Sequence, residues 1–281
     1  MCVTFISTQI LCNRYKLVIL NNRDEEFDRE TSKLAWRDGI LSGRDEQANE
    51  RGTWLGITQS GKIGNLLSIT ESKAQKLENA PSRGQIVQNF LKSNLRTMEY
   101  CTQLAEKASI YNGFQFLGFE RDEKGIYQFT SLTNRLVQTI GPVQWQPGIY
   151  GFGNSPPSHP FKKVTRGERL FKECLSRLDL EKCSENELIE ELMKLSKDGT
   201  LCFPDEQIKL QTGVSEDEKY KYLCSLFVRY PKWWRYGTRS HSILLVDVND
   251  NVTFYEQRMM NFPEEIEDAQ WETTVERFHI T

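Results

Sequence analysis

The sequence predicts an α+β protein, α/β in the broad sense, with two antiparallel sheets enclosed by helical layers. Three observations lead there: β-rich segments gather at both ends and in the middle of the 281-residue chain, amphipathic helical segments fill the gaps between them, and the connections are short. A single sheet with helices on one side satisfies the same pattern. No Pro-rich, Gly/Ser-rich or repetitive stretch reads as a linker, so residues 1–281 are expected to form one domain.

The first strands are expected over 2–8 and 16–22, which are rich in Val, Ile, Phe, Thr and Leu, with the polar stretch from Gln9 to Tyr15 as their hairpin loop. A second pair, Thr53–Thr58 and Lys62–Ile69, is joined by the turn Gln59-Ser60-Gly61. Further strands are expected at Gly113–Glu120, Gly125–Ser131, Arg135–Ile140 and Gly148–Gly153, and late ones at Ser242–Val248, Val252–Arg258 and Thr273–His279. Between them, Ser82 and Gln85 have capping-box spacing ahead of Ile86, Phe90, Leu91 and Leu95, and a second helix follows from Met98 to Ala108. After Pro160, the positions Val164, Leu170, Phe171, Cys174, Leu175 and Leu178 form one apolar helical face, and Glu187 to Leu195 supplies another.

Composition excludes several classes of function. With 36 Lys+Arg against 39 Asp+Glu there is no global positive field to gather nucleic acid. The opening residues lack a basic segment followed by a long apolar one, and no apolar run approaches the roughly 20 residues that cross a bilayer. A cytoplasmic protein is expected, and association with mitochondria or the Golgi is left open. Seven scattered cysteines with no Cys-x-x-Cys pair suit reduced thiols rather than disulfides or a structural zinc site.

If the first hairpin turns near residue 12, paired positions have numbers summing to about 24, which sets Cys2 opposite Asn22 and close to Arg23 and Asp24. A small residue at position 2 normally permits removal of the initiator Met, leaving a cysteine with both a thiol and a free α-amine. That amine, with a reference pKa of about 7.7–8.0, is suited to act as base toward its own thiol, and a nearby Arg favours thiolate. The plainer reading makes Cys2 an ordinary strand-starting residue and Asn22-Arg23-Asp24-Glu25 a polar turn. Four other segments set glycine beside hydrogen-bonding residues at strand ends: Gly52-Thr53-Trp54-Leu55-Gly56, Gly64-Asn65-Leu66, Gly151-Phe152-Gly153-Asn154-Ser155 and Tyr236-Gly237-Thr238-Arg239-Ser240. Asn65 and Asn154 are candidate donors to a developing oxyanion, and the plainer reading of each segment is a bulge or turn.

Met1-Cys2, Asn22-Arg23-Asp24-Glu25, Gly52-Thr53-Trp54-Leu55-Gly56, Gly64-Asn65-Leu66, Gly153-Asn154-Ser155 and Tyr236-Gly237-Thr238-Arg239 resemble, in order and over nearly the whole chain, the motifs of the NRDE family. The resemblance implies an αββα sandwich similar to that of the N-terminal nucleophile hydrolases, with Cys2 at the nucleophile's place and Arg23 and Asp24 orienting it. By the same resemblance Asn65, Asn154 and Arg239 are candidate oxyanion or substrate contacts, and Asn22, Glu25 and Trp54, from the same motifs, are candidate ligand contacts. For animal members the family implies haem mobilisation from mitochondria or storage organelles toward acceptor proteins, and a link to lipid and acyl-CoA homeostasis. Haem is thus expected as transported cargo and not as a required cofactor. The alternatives are a Cys2 amide or thioester hydrolase and an acyl-CoA or lipid binder.

No metal-ligand set is expected, because His159, His241 and His279 have no recognisable ligand spacing. Haem would then be held by the Cys2 thiolate, by pairing of its propionates with Arg23 or Arg239, or in an aromatic cleft. Lys232-Trp233-Trp234-Arg235-Tyr236 is read either as a cover for the core edge or as a peripheral membrane, planar-ligand or partner contact. Pro156-Pro157-Ser158-His159-Pro160-Phe161 is read as a rigid loop ahead of a helix.

Overall fold

The structure is a computed structural model that describes residues 1–47, 49, 51–214, 220–229, 234–261, 263 and 266–281. The first sheet joins β1 (Val3–Ser7), β2 (Tyr15–Glu26), β10 (Ile149–Phe152), β11 (Tyr236–Asp247), β12 (Asn251–Met259) and β13 (Trp271–His279) in the order β10-β1-β2-β11-β12-β13. The second runs in sequence order through β3 (Thr31–Arg37), β4 (Ile40–Asp45), β5 (Leu55–Thr58), β6 (Ile63–Ser68), β7 (Phe114–Arg121), β8 (Tyr127–Thr133) and β9 (Pro142–Trp145). All pairings described are antiparallel.

Strand alternation divides the apolar residues among three interfaces. On β2, Leu17 and Ile19 face the second sheet and pack with Leu55, Ile63, Leu117 and Phe129. Val18 and Leu20 face the other way, toward α3 (Lys162–Arg177), α4 (Glu185–Ser196) and α5 (Glu206–Thr212), whose Phe171, Leu188 and Ile208 complete that layer. The second sheet's outer face is covered by α1 (Gly84–Lys92) and α2 (Thr97–Glu106) through Ile86, Phe90, Cys101 and Leu104. The result is an αββα sandwich, the architecture the resemblance implies. A single sheet covered on one side is excluded by the inter-sheet core.

The departures from expectation have local causes. Arg135–Ile140 is not a strand: Leu136 has φ +58°, outside the β region, and the Asn134 side chain ties the preceding corner to Ala108 O and the Phe114 N–H. The strand comes later, at β9. The β3–β4 hairpin was not foreseen, although its turn residues Asp38 and Gly39, with φ +51° and +77°, are the Asp-Gly pair that a two-residue hairpin turn requires. Ser82 does not cap α1, which starts one residue past Arg83 with no side-chain cap; capping boxes form instead at Ser184–Glu187 and Ser72–Gln75. Among the described residues, α5 was also missed, and its N-terminal N–H groups are held by Asp205.

Candidate functional site

The first hairpin turns at Cys12 and Asn13, both with positive φ, but its register is one residue from that expected: Val3, not Cys2, pairs with Asn22. Because β2 continues as a strand through Glu26, the Asn-Arg-Asp-Glu side chains alternate between its two faces, and the register sets which of them shares the face of Cys2. Arg23 turns toward the second sheet, where its guanidinium lies 4.4 Å from the centre of the Trp54 ring and 3.3 Å from Glu25. Asn22 turns toward the helices. Its amide donates to Ser196 O at 2.8 Å and Leu226 O at 2.9 Å, and its oxygen lies 2.8 Å from His241 Nδ1.

Cys2 retains an accessible edge, and its Sγ accepts from the Asp24 backbone N–H at 3.3 Å. Asp24 links the site's charges. One carboxylate oxygen lies 3.1 Å from the Met1 α-amine and 3.9 Å from Lys163 Nζ, and the other accepts from the Thr238 hydroxyl at 2.5 Å. The amine also donates to the Tyr236 hydroxyl. Lys163, on the first turn of α3, is completely buried and donates to Met1 O at 2.9 Å and Ser225 O at 3.0 Å.

Burial sets the protonation pattern. It pushes the amine below its ordinary value, against the pull of Asp24, so the neutral base form gains. It pushes the Cys2 thiol up, outweighing the nearby amine cation, the Asp24 N–H and Arg23. Arg23 does pull toward thiolate, as expected, but more weakly than burial pushes the other way. Desolvation is the larger effect, and Asp24 adds to it.

The other expected residues divide. Asn65 crosses between the sheets, accepting from Thr4 Oγ1 at 2.9 Å and donating to Trp54 O at 3.0 Å. Asn154 donates to Ser68 O at 2.5 Å while its own carbonyl accepts from Thr70 N and Gln211 Nε2. The side-chain N–H group of each is thus engaged with a backbone carbonyl. Arg239 is buried and donates to Arg29 O; burial, with Arg23 nearby, lowers its pKa to about 10. His241 has zero exposure and stacks on Trp271, whereas His159 and His279 are exposed. No cluster of three metal-ligating side chains occurs among the described residues.

Of the basic aromatic segment, Lys232 and Trp233 lie outside the described residues. Trp234 packs against the helix-side core, and Arg235 pairs with Asp28 at 2.6 Å. The Pro156–Phe161 loop is pinned by the Ser155 hydroxyl on His159 O and leads into α3.

Sequence reasoning missed Lys163, Thr238 and Glu256. Thr238 lies inside a motif already singled out. Lys163 had one signal: it precedes Val164 and falls one turn before Gly167 and Arg166 on the apolar side of its helix, where a lysine needs buried partners. Glu256, on β12, is buried against the Leu34 N–H at 2.8 Å, and burial raises its pKa to about 7.

The family model for Transport and Golgi organisation 2 matches residues 1–261. The mouse Transport and Golgi organization 2 homolog is 30% identical over 292 residues, covering 100% of this chain and 99% of that protein. The Drosophila melanogaster Transport and Golgi organization protein 2 is 31% identical over 255 residues, covering 87% of each. Among solved structures, the C2A mutant of conjugated bile acid hydrolase from Clostridium perfringens aligns over 100% of this chain and 97% of its own, at 9% identity and a TM-score of 0.47. On the family match and the full-length relatives, the chain belongs to the Transport and Golgi organisation 2 family.

Proposed function

We propose that this chain is an intracellular haem-handling protein that receives haem from mitochondria or storage organelles and passes it to acceptor proteins. Its αββα scaffold serves as the binding frame, and the Cys2 end of the inter-sheet space is the cargo contact. The carrying observation is the company Cys2 keeps. A thiol with an accessible edge stands in the electrostatic field of two guanidinium groups, Arg23 and Arg83. Arginine matches carboxylates such as the two propionates, and the Trp54 ring under Arg23 supplies apolar area. A thiol that burial keeps protonated is a weak iron ligand, and weak holding suits release to an acceptor.

The test is an absorbance titration of the full chain with haem, beside Cys2→Ala and Arg23→Gln, followed by transfer from haem-loaded vesicles to an apo-acceptor. Saturable binding in wild type, weakened about tenfold or more in each variant, is expected, an affinity loss of about 1.4 kcal/mol. Absence of saturable binding, or of any acceleration of transfer, sinks the proposal.

A second reading is favoured by the hydrogen bond from the Asp24 N–H to Sγ and the neutral-leaning amine beside it. In that reading Cys2 Sγ attacks an amide or thioester carbonyl, the amine takes the thiol proton and passes it to the departing amine or thiol, and water then hydrolyses the acyl-cysteine. Turnover of such substrates that disappears in Cys2→Ala would establish it. Acyl-CoA or lipid affinity that survives Cys2→Ser, without turnover, would instead point to a binder.

A further inference from the structure

We propose that Lys163 is the positioning residue of the Cys2 site, a buried cation that offsets Asp24 so that the thiol and the amine beside it are free to exchange a proton. The inference builds on the reading of Cys2 as the site's reactive or ligand-contacting group, and it concerns what sets that group's state.

The geometry leaves Lys163 little other purpose. Its side chain has zero exposure, and its ammonium reaches the start of β1 through Met1 O at 2.9 Å and the segment before β11 through Ser225 O at 3.0 Å. The Asp24 carboxylate stands 3.9 Å away. A lysine buried only for packing would be replaced without loss by an apolar residue, whereas this one lies under the carboxylate that contacts the amine and whose backbone holds Sγ.

Asp24 faces two nitrogen groups able to carry charge, the amine at 3.1 Å and Lys163. Burial lowers the pKa of both nitrogens and Asp24 pulls both back up, but an alkylammonium of the lysine type starts about 2.5 pKa units above an α-amine in water, which favours Lys163 as the charged partner. Positive charge on Lys163 beside Asp24 lessens the carboxylate's hold on the amine's proton and so shifts the amine toward its neutral, proton-accepting form. The charged and titratable groups around Nζ are Asp24 on β2, Cys2 and the amine at β1, and Cys202 and Cys224 from the helical side; Tyr236 on β11 touches the amine. Of these, Asp24 alone is a carboxylate.

The test reads the alkylation of Cys2 by iodoacetamide from pH 6 to 10 in the full-length protein, resolved from the other cysteines by peptide mass spectrometry, with the N-terminal residue identified in the same data. Lys163→Gln retains two N–H donors for the two carbonyls and removes the charge, and Lys163→Met removes both. Each is expected to slow Cys2 alkylation near neutral pH about tenfold and to move the profile upward by about one pH unit, because Asp24 then acts on the thiol offset only by the amine, Arg23 and Arg83. In an Asp24→Asn background the same substitutions should have a much smaller effect, which a merely structural lysine would not produce. A folded Lys163→Gln protein with the wild-type profile overturns the proposal. If neither Lys163 variant folds, Asp24→Asn alone decides: a downward shift of the profile supports the charge balance, and an unchanged or raised profile overturns it. Haem is absent from the assay, so failure of the cargo proposal leaves this result readable.

Discussion

At the scale of the residue, alternation along β2 decides what each polar side chain does. Asn22 belongs to the motif that draws attention in the sequence, yet it faces the helices and joins Ser196, Leu226 and His241 across three segments. Asn22→Ala leaves two buried carbonyls without their donor and is expected to cost about 2–3 kcal/mol, measured by urea unfolding. A loss below about 0.5 kcal/mol would mean that those carbonyls find other partners. Cys2, Arg23 and Asp24 were legible as a group because the hairpin returns the chain to its start, and Trp54 was named from the Gly52–Gly56 motif. Lys163 was not legible, since its one sequence sign, a place on the apolar side of α3, does not say which groups its ammonium meets. Side-chain alternation alone does not reveal a one-residue error in the summed pairing numbers, because either register leaves an apolar face on each side of β2.

At the scale of the element, α3 shows how close packing places the site. Gly167 lies one turn after Lys163, and a Cβ there would come within 2.2 Å of the Phe5 ring on β1. Intrinsic propensity predicts that Gly→Ala inside a helix stabilises by about 1 kcal/mol. Here the clash should reverse the sign. Gly167→Ala is expected to destabilise by about 1–3 kcal/mol, read as a lowered thermal midpoint, since Phe5 is fully buried and has nowhere to move. A stabilised variant would show that α3 can lift from β1 at little cost. Most helices and strands were legible from their periodicity, and what escaped was turn chemistry: Asp38-Gly39 marked a hairpin, and the positive φ at Leu136 ended one expected strand. Such positions follow from backbone sterics and tertiary contacts rather than from the apolar pattern.

At the scale of the whole molecule, the order of strand and helix groups was enough to read two sheets between helical layers, because each sheet has apolar residues on both faces and so needs two covers. What the pattern did not disclose is that the inter-sheet core is polar at one end. Thr4, Asn21, Ser242 and Glu256 pair in turn across four strands of the first sheet, and the Glu256 carboxyl is buried beside the Leu34 N–H. Burial raises that carboxyl to about 7, against an unfolded value of about 4.5, so the folded chain binds the proton more tightly than the unfolded one. Its contribution to stability is accordingly complete below about pH 4.5 and is lost as pH rises toward 7 and beyond. The integrated loss is about 3 kcal/mol. Glu256→Gln retains an oxygen to accept from Leu34 N–H and cannot ionise. Urea unfolding across pH 4.5–8.5 should therefore find the variant close to wild type at the acid end and more stable by an amount of that order above pH 8. Equal stability of the two proteins at pH 8.5 would show that the folded chain accommodates the ionised carboxylate, through Arg23 and Arg258, which pull its pKa down, or through local opening of the inter-sheet space.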